Sequence, residues 1–210
     1  MIRRSLPLAL PLAAVAAFVI APLMFATGAL ADADPRAFVD QLGNQAIQVM
    51  GPRIPFEERV SRFAQLFQAD FAVQQIGQFV MGPYSRTASP EQRQQFLQTF
   101  SQSIAEAYAR RFGDYAGDPF RVTGEHQQGG ETVVSSEIDR RGRTSPVLIE
   151  WSLVDEGGQP KISDVKIDGL SMRVQERELF GSLMQQSGGR MDIALIALRK
   201  ANAPDEPMRQ

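Results

Sequence analysis

The apolar residues of this chain change their spacing at Pro119 and change it back near Leu170. Between these points lie four runs of period two, at about 119–126, 131–139, 145–154 and 160–168. Alternation at that period sends successive side chains to opposite faces of a strand. The connectors are short: Gln127-Gln128-Gly129-Gly130, then Arg140 to Thr144, then Asp155 to Gln159. Turns at such regular intervals join neighbouring strands as an antiparallel meander. One face collects Phe120, Val122, Val134, Ile138, Val147, Ile149, Trp151, Leu153, Val165 and Ile167, while Glu137 and Glu150 fall on the other. A sheet with one apolar face needs a cover on that face.

The flanking segments can supply it. Asp34-Pro35 places a capping residue before a proline at the first helical position, and Phe38, Val39, Leu42, Ala46 and Met50 follow at helical spacing. Gly51-Pro52 ends that element. Phe56, Val60, Phe63, Ala64 and Phe67 mark a second helix, and Asp70 can cap a short third one carrying Phe71, Ile76, Phe79 and Val80 up to Gly82-Pro83. Ser89-Pro90-Glu91-Gln92 opens the longest helix with a capping-box pattern. Its Phe96, Phe100, Ile104, Tyr108 and Phe112 recur every four residues. Each such step advances about 40°, so these residues wind about 160° around the helix and call for apolar neighbours on more than one side. Two further helices are expected at Leu170–Gln186 and Met191–Lys200, separated by Gly188-Gly189. Helices in blocks before and after one meander define an α+β fold, with the helices packed on one face of a four-stranded sheet.

Residues 1–31 stand apart. Arg3 and Arg4 are followed by 27 uncharged residues, ending in Ala29-Leu30-Ala31. That is the layout of a secretory signal peptide, with cleavage expected after Ala31. Pro7, Pro11 and Pro22 weigh against a single straight membrane helix. The remainder divides into one domain at 32–203 and a flexible tail at 204–210. Without the two leader arginines the chain holds 20 basic against 24 acidic side chains, a net charge of about −4. This gives no electrostatic reason to bind nucleic acid. Export with no cysteine fits a bacterial periplasm, and it excludes thiol catalysis and thiolate metal sites.

Polar chemistry is scarce. His126 is the sole histidine and enters a Gln-Gln-Gly-Gly turn, where neither an orienting partner nor a pocket is expected. One histidine without cysteine cannot supply the common zinc sets, and no metal or cofactor is expected. Glu57-Glu58 suit the first turn of a helix. Asp164 and Asp168 can share a strand face, with no cleft to make them a hydrolytic pair. Phosphate-cradling and nucleophile-elbow motifs are missing. Arg140, Arg141 and Arg143 form a basic hairpin tip, a candidate contact for lipid phosphate or an acidic partner and otherwise a solvated turn. Apolar supply is what stands out, with eleven of the 13 phenylalanines lying beyond residue 31. They can be core, or walls of a dry pocket between helices and sheet.

Two stretches carry a family resemblance. "MGPYSRTASPEQRQQFLQTFSQSIAEAYARRFGDYAG" (81–117) resembles the signature region of the MlaC-type family, also called toluene-tolerance proteins. "KISDVKIDGLSM" (161–172), Phe180 and "GGRMDIALIALRKAN" (188–202) resemble its C-terminal half. The likeness covers roughly residues 34–202. Glu176, Arg177, Leu179 and Pro160 depart from the common pattern, and hopanoid-associated HpnM-type relatives share the same domain. The resemblance implies a non-enzymatic periplasmic carrier of phospholipid. It would shuttle lipid between an outer-membrane lipoprotein–porin complex and an inner-membrane ABC transporter. It implies a pocket wall of Val147, Ile149, Trp151 and Leu153, continued by Val165 and Ile167, with Phe96, Phe100, Ile104 and Tyr108 opposite. Two tails of about 28 methylenes in all, at ~0.8 kcal/mol each, cost on the order of 20 kcal/mol to expose, so a soluble carrier must cover them. The rival reading is a small-molecule isomerase or hydratase, which would need an acid or histidine in the hollow.

Overall fold

The computed structural model describes residues 34–49, 51, 53–111, 118–139 and 144–201. Four helices come first: α1 (Pro35–Val49), α2 (Phe56–Asp70), α3 (Val73–Met81) and, after a 3-10 turn at Gly82–Arg86, α4 (Pro90–Arg111). Strands β1 (Phe120–Gln128), β2 (Glu131–Ile138), β3 (Val147–Asp155), β4 (Pro160–Ile167) and β5 (Leu170–Ser171) follow, then α5 (Met172–Gln186) and α6 (Met191–Ala201).

The helix starts follow local chemistry. Asp34 accepts a hydrogen bond from the Arg36 amide at 3.0 Å. At α4 the capping box forms in both directions: the Gln92 amide donates to Ser89 Oγ at 3.2 Å, and the Ser89 amide donates to Gln92 Oε1 at 2.9 Å. Asp70 does not cap α3. It is the last residue of α2, and α3 begins after Ala72 without a side-chain cap. Tertiary bonding replaces the cap: Phe71 bridges Ile162 in parallel, and the Ala72 amide donates to the Ile162 carbonyl at 2.9 Å. The join between α2 and α3 is thereby stitched to β4.

The strands run in chain order, each antiparallel to its neighbour, as β1-β2-β3-β4-β5. Gly129 and Gly130 (φ 60° and 85°) close the first hairpin, the left-handed pair that a two-residue turn requires. The sheet has a fifth strand beyond the four expected. Asp168 (φ 49°) and Gly169 (φ 84°) make a second tight turn, which returns Leu170 and Ser171 alongside β4 before α5 begins at Met172. Register shifts interrupt the ladders at Val122/Gly124 and at Ser152/Leu153. Such bulges bend and twist the strands that carry them. The second lets Leu153 pair with Ile162 while Trp151 pairs with Val165, so all four side chains stay on the buried face.

Helices cover that face, and Leu148 on the other side is 56% exposed. The cover has two layers. Helices α1, α2, α3 and α5 pack on the sheet, whereas α4 packs chiefly on α2, α3 and α6. The wide apolar girth of α4 is therefore satisfied by other helices. Phe96, Phe100 and Ile104 are fully buried, with Phe100 against Phe67 (ring centroids 6.2 Å) and Phe96 against Phe180 (4.8 Å).

A buried polar joint locks α5 to the sheet. Asp164, 1% exposed, accepts hydrogen bonds from Ser171 Oγ (2.5 Å) and the Arg173 amide (3.0 Å). Ser171 Oγ in turn caps the Val174 amide, and Arg173 reaches Glu131 at 3.1 Å. This carboxylate anchors a helix N-terminus, where negative charge is favoured.

Candidate functional site: an apolar crevice between α1 and the sheet

A crevice of about 570 Å³, its mouth included, lies between α1 and the inner face of the sheet. Helix α1 lines it with Leu42, Gly43, Ala46 and Ile47, and α2 with Phe63 and Leu66. Phe71, Tyr108 and Met172 complete the helical side, while the sheet contributes Phe120, Ile138, Ile149, Trp151 and Val165. Its wall presents no polar surface.

Local packing explains both the hollow and its dryness. Phe63 and Tyr108 stack nearly parallel, 2° apart with centroids at 5.7 Å, and so hold each other in the wall. Trp151 turns its one polar atom away: Nε1–H donates to buried Ser136 Oγ at 2.8 Å. Gly43 lets the Phe120 ring lie against the α1 backbone. A Cβ at position 43 would come within 2.3 Å of that ring. Phe120 meets Trp151 edge-on, at 6.3 Å and 87°.

Size decides what can enter. If a methylene fills about the ~30 Å³ of a water in the liquid, one tail of ~14 carbons needs on the order of 400 Å³. Only about 40 Å³ is wide enough for the centre of a water molecule, so the crevice is narrow and a tail must part its walls.

The residues expected from the sequence divide. Tyr108, Ile149, Trp151 and Val165 line the crevice. Phe96, Phe100 and Ile104 are buried among the helices instead, because α4 lies in the outer layer. Val147 and Leu153 are buried on the inner sheet face outside the lining, and Ile167 is partly buried there. Arg140, Arg141 and Arg143 lie outside the described residues. The contribution of α1 was not anticipated from the sequence. Its signal was Gly43, since a glycine inside a helix costs roughly 1 kcal/mol against alanine and calls for a packing reason.

Catalytic constellations do not gather here. Tyr108 is the one titratable group among the described lining residues. His126 is exposed on β1, Glu58 pairs with Arg62 at 2.5 Å, and Asp164 is committed to α5. Among the described residues no group of three or more His, Cys, Asp or Glu could hold a metal ion, and no helix is long and apolar enough to cross a membrane. What the wall can do is hold aliphatic chain without directional bonds.

Residues 42–198 match the family model described as MlaC protein. The chain is 26% identical over 100 residues to the intermembrane phospholipid transport system binding protein MlaC of Haemophilus influenzae, covering 46% of this chain and 47% of that protein. It is 28% identical over 132 residues to the toluene tolerance protein ttg2D of Pseudomonas putida, covering 59% and 60%. The chain thus spans between about half and three-fifths of the curated relatives it matches. Among solved structures, a phospholipid-binding protein from Ralstonia solanacearum in complex with a phospholipid superposes with a TM-score of 0.68. That match has 19% identity and covers 81% of this chain and 97% of the other, a likeness of fold.

Proposed function

The chain belongs to the MlaC family, and on that premise we propose that it is a periplasmic phospholipid carrier that shelters acyl chain in the crevice between α1 and the sheet. The observation that carries this reading is the crevice itself, wholly apolar and lined by aliphatic and aromatic side chains of helix and sheet. Its wall is Tyr108, Ile149, Trp151 and Val165 with the α1 residues Leu42, Gly43, Ala46 and Ile47. Cleavage after Ala31 releases the carrier into the periplasm. There it exchanges lipid with an inner-membrane ABC transporter complex and an outer-membrane lipoprotein–porin complex. Phospholipid is the cargo in the names of the H. influenzae relative and the R. solanacearum structure, which favours it over a hopanoid.

An enzymatic role has no acid or histidine in the described wall to work with. The hydrophobic term suffices for a carrier: burying one tail of ~14 methylenes at ~0.8 kcal/mol each offsets on the order of 10 kcal/mol of exposure. Because that term does not read head groups, uptake and release can stay near balance with a bilayer.

Native mass spectrometry of the exported protein, followed by solvent extraction, tests the proposal. Intact phospholipid at about one per chain is expected. A protein that leaves the cell bare and takes up no lipid from vesicles contradicts it.

A further inference from the structure

A second cleft opens between α3, the 3-10 turn at Gly82–Arg86 and α5. Its volume is about 1080 Å³, mouth included, and it shares no lining residue with the crevice. Gln75, Gln78 and Phe79 line it from α3, Pro83 and Arg86 from the turn, and Arg177 from α5. No carboxylate stands in the described wall. Among the described residues neither Arg86 nor Arg177 makes an ion pair or a side-chain hydrogen bond, although acids outnumber bases in the chain. Arg177 is nevertheless held in place. Arg173, one turn earlier on α5, lies over the same Phe79 ring, its guanidinium carbon 5.3 Å from the centroid against 4.8 Å for Arg177. The charge of Arg173 is matched by Glu131 at 3.1 Å and Asp164 at 3.6 Å. Arg177 meets no such acid. Gly82 (φ 55°) lets it rest against the end of α3, where a Cβ would stand 3.4 Å from its Nη2. The ring and the negative helix end both attract the cation. Neither takes up its N–H fork, which is left for an incoming acceptor.

Such a fork takes a carboxylate in two-point contact. The rest of the wall says what carries the carboxylate. The exposed amides of Gln75 and Gln78 can donate to and accept from a peptide backbone, and Phe79 and Pro83 offer apolar contact. Arginine and aromatic side chains together are enriched where proteins meet, and arginine clusters recognise acidic segments. A bilayer is too flat to enter a concave wall, whereas a strand or side chain of a protein can. Resting on the carrier reading, we propose that this cleft docks the carrier on a protein of the membrane systems with which it exchanges lipid, gripping an acidic segment with Arg177 and Arg86. Because cleft and crevice are lined by different residues, a partner can hold the carrier without entering the wall that holds the tail. Docking and lipid retention are therefore separable by substitution.

The test is sedimentation with membranes. The protein, expressed as the full chain and purified after export, is mixed with membranes of the bacterium that makes it: inner-membrane vesicles with the periplasmic face outward, or opened outer-membrane fragments. Protein-free liposomes of the lipids extracted from them serve as the comparison. Bound protein is measured, lipid retention is read by extraction and mass spectrometry, and circular dichroism controls for folding. The native protein should bind at least one kind of membrane well above liposomes. Arg177→Glu and Arg86→Glu should each weaken that binding about tenfold while retaining lipid as the native protein does. Arg177→Lys, which keeps the charge but loses the fork, should fall between. Folded charge-reversed variants that bind like the native protein overturn the proposal, and Arg86→Glu decides it should Arg177→Glu fail to fold. Native protein that binds membranes no better than liposomes also overturns it, and strong binding to both would assign the arginines to lipid phosphate. Native protein that docks through these arginines yet carries no lipid would uphold the cleft and contradict the carrier reading.

Discussion

The two apolar regions of the molecule are built from similar residues and end in opposite states. Around α4, Phe67, Phe96, Phe100 and Phe180 fill space ring against ring and are fully buried. Under α1, Phe63, Tyr108, Phe120 and Trp151 surround a crevice. Hydrophobicity therefore does not decide which region is hollow. The solid block sits between helices, packed ring against ring, whereas the crevice lies between a bulged sheet and a helix that lets Phe120 approach its backbone at Gly43. The walls meet where Phe120 rests on Gly43, and the bulges bend the sheet beside that contact.

Truncation should separate the regions most strongly. Phe100→Ala leaves a cavity in the block and should cost about 3–5 kcal/mol, read by denaturant unfolding. Ile149→Ala should cost about 2 kcal/mol or less, because its side chain already lacks neighbours on the crevice side. Equal losses would mean that the crevice is packed in solution. A charge sharpens the same contrast. Ile149→Asp should remain folded by circular dichroism yet retain at least tenfold less lipid, since a carboxylate in a dry wall opposes a tail. If the variant unfolds, Ile149 is plain core.

Gly43→Ala is subtler. Alanine suits a helix better than glycine by up to ~1 kcal/mol, but its Cβ displaces the Phe120 ring. Net stability should change by less than about 1 kcal/mol, while the emission of Trp151, which Phe120 touches, shifts. An unmoved spectrum would mean that Phe120 does not rest on α1. The smallest effect lies outside both regions. Burial raises the Asp70 carboxyl above its ordinary value, with Lys161 lowering it in part. The folded state then holds the proton more tightly than the unfolded chain, so stability declines as pH rises from the ordinary value near 3.9 through the raised one. Asp70→Asn should melt slightly higher than the native protein at neutral pH, by well under 1 kcal/mol for a group only partly buried, and the gap should close below about pH 4. A gap that persists in acid would assign the effect to something other than this proton.

How far the sequence announced these features depends on whether their cause is local. Gly129-Gly130 and the Ser89–Gln92 box act through their own backbone, so the first hairpin and the start of α4 were legible. Asp168-Gly169 carried a hairpin signal too, but a strand of two residues is too short to show a period, and Leu170 read as the start of α5. Asp70 misled because a bond to Ile162, far away in sequence, took over the work of a cap. The same limit governs the crevice. Period two placed Ile149, Trp151 and Val165 on the inner face, and they line it. Which helix lies opposite is a property of layering: the apolar girth of α4 was visible, but not that α2 and α6 would absorb it and leave α1 over the hollow.

Trp151 allows the most direct test of the central claim, because it is the only tryptophan in the chain and stands in the crevice wall. The stripped protein should be loaded with a phospholipid brominated along one acyl tail, and its fluorescence compared with loading by the same lipid without bromine. A tail lying in the crevice quenches Trp151 strongly and leaves the unbrominated control bright. Lipid retained at one per chain with no difference in emission would place the tail elsewhere and contradict the account.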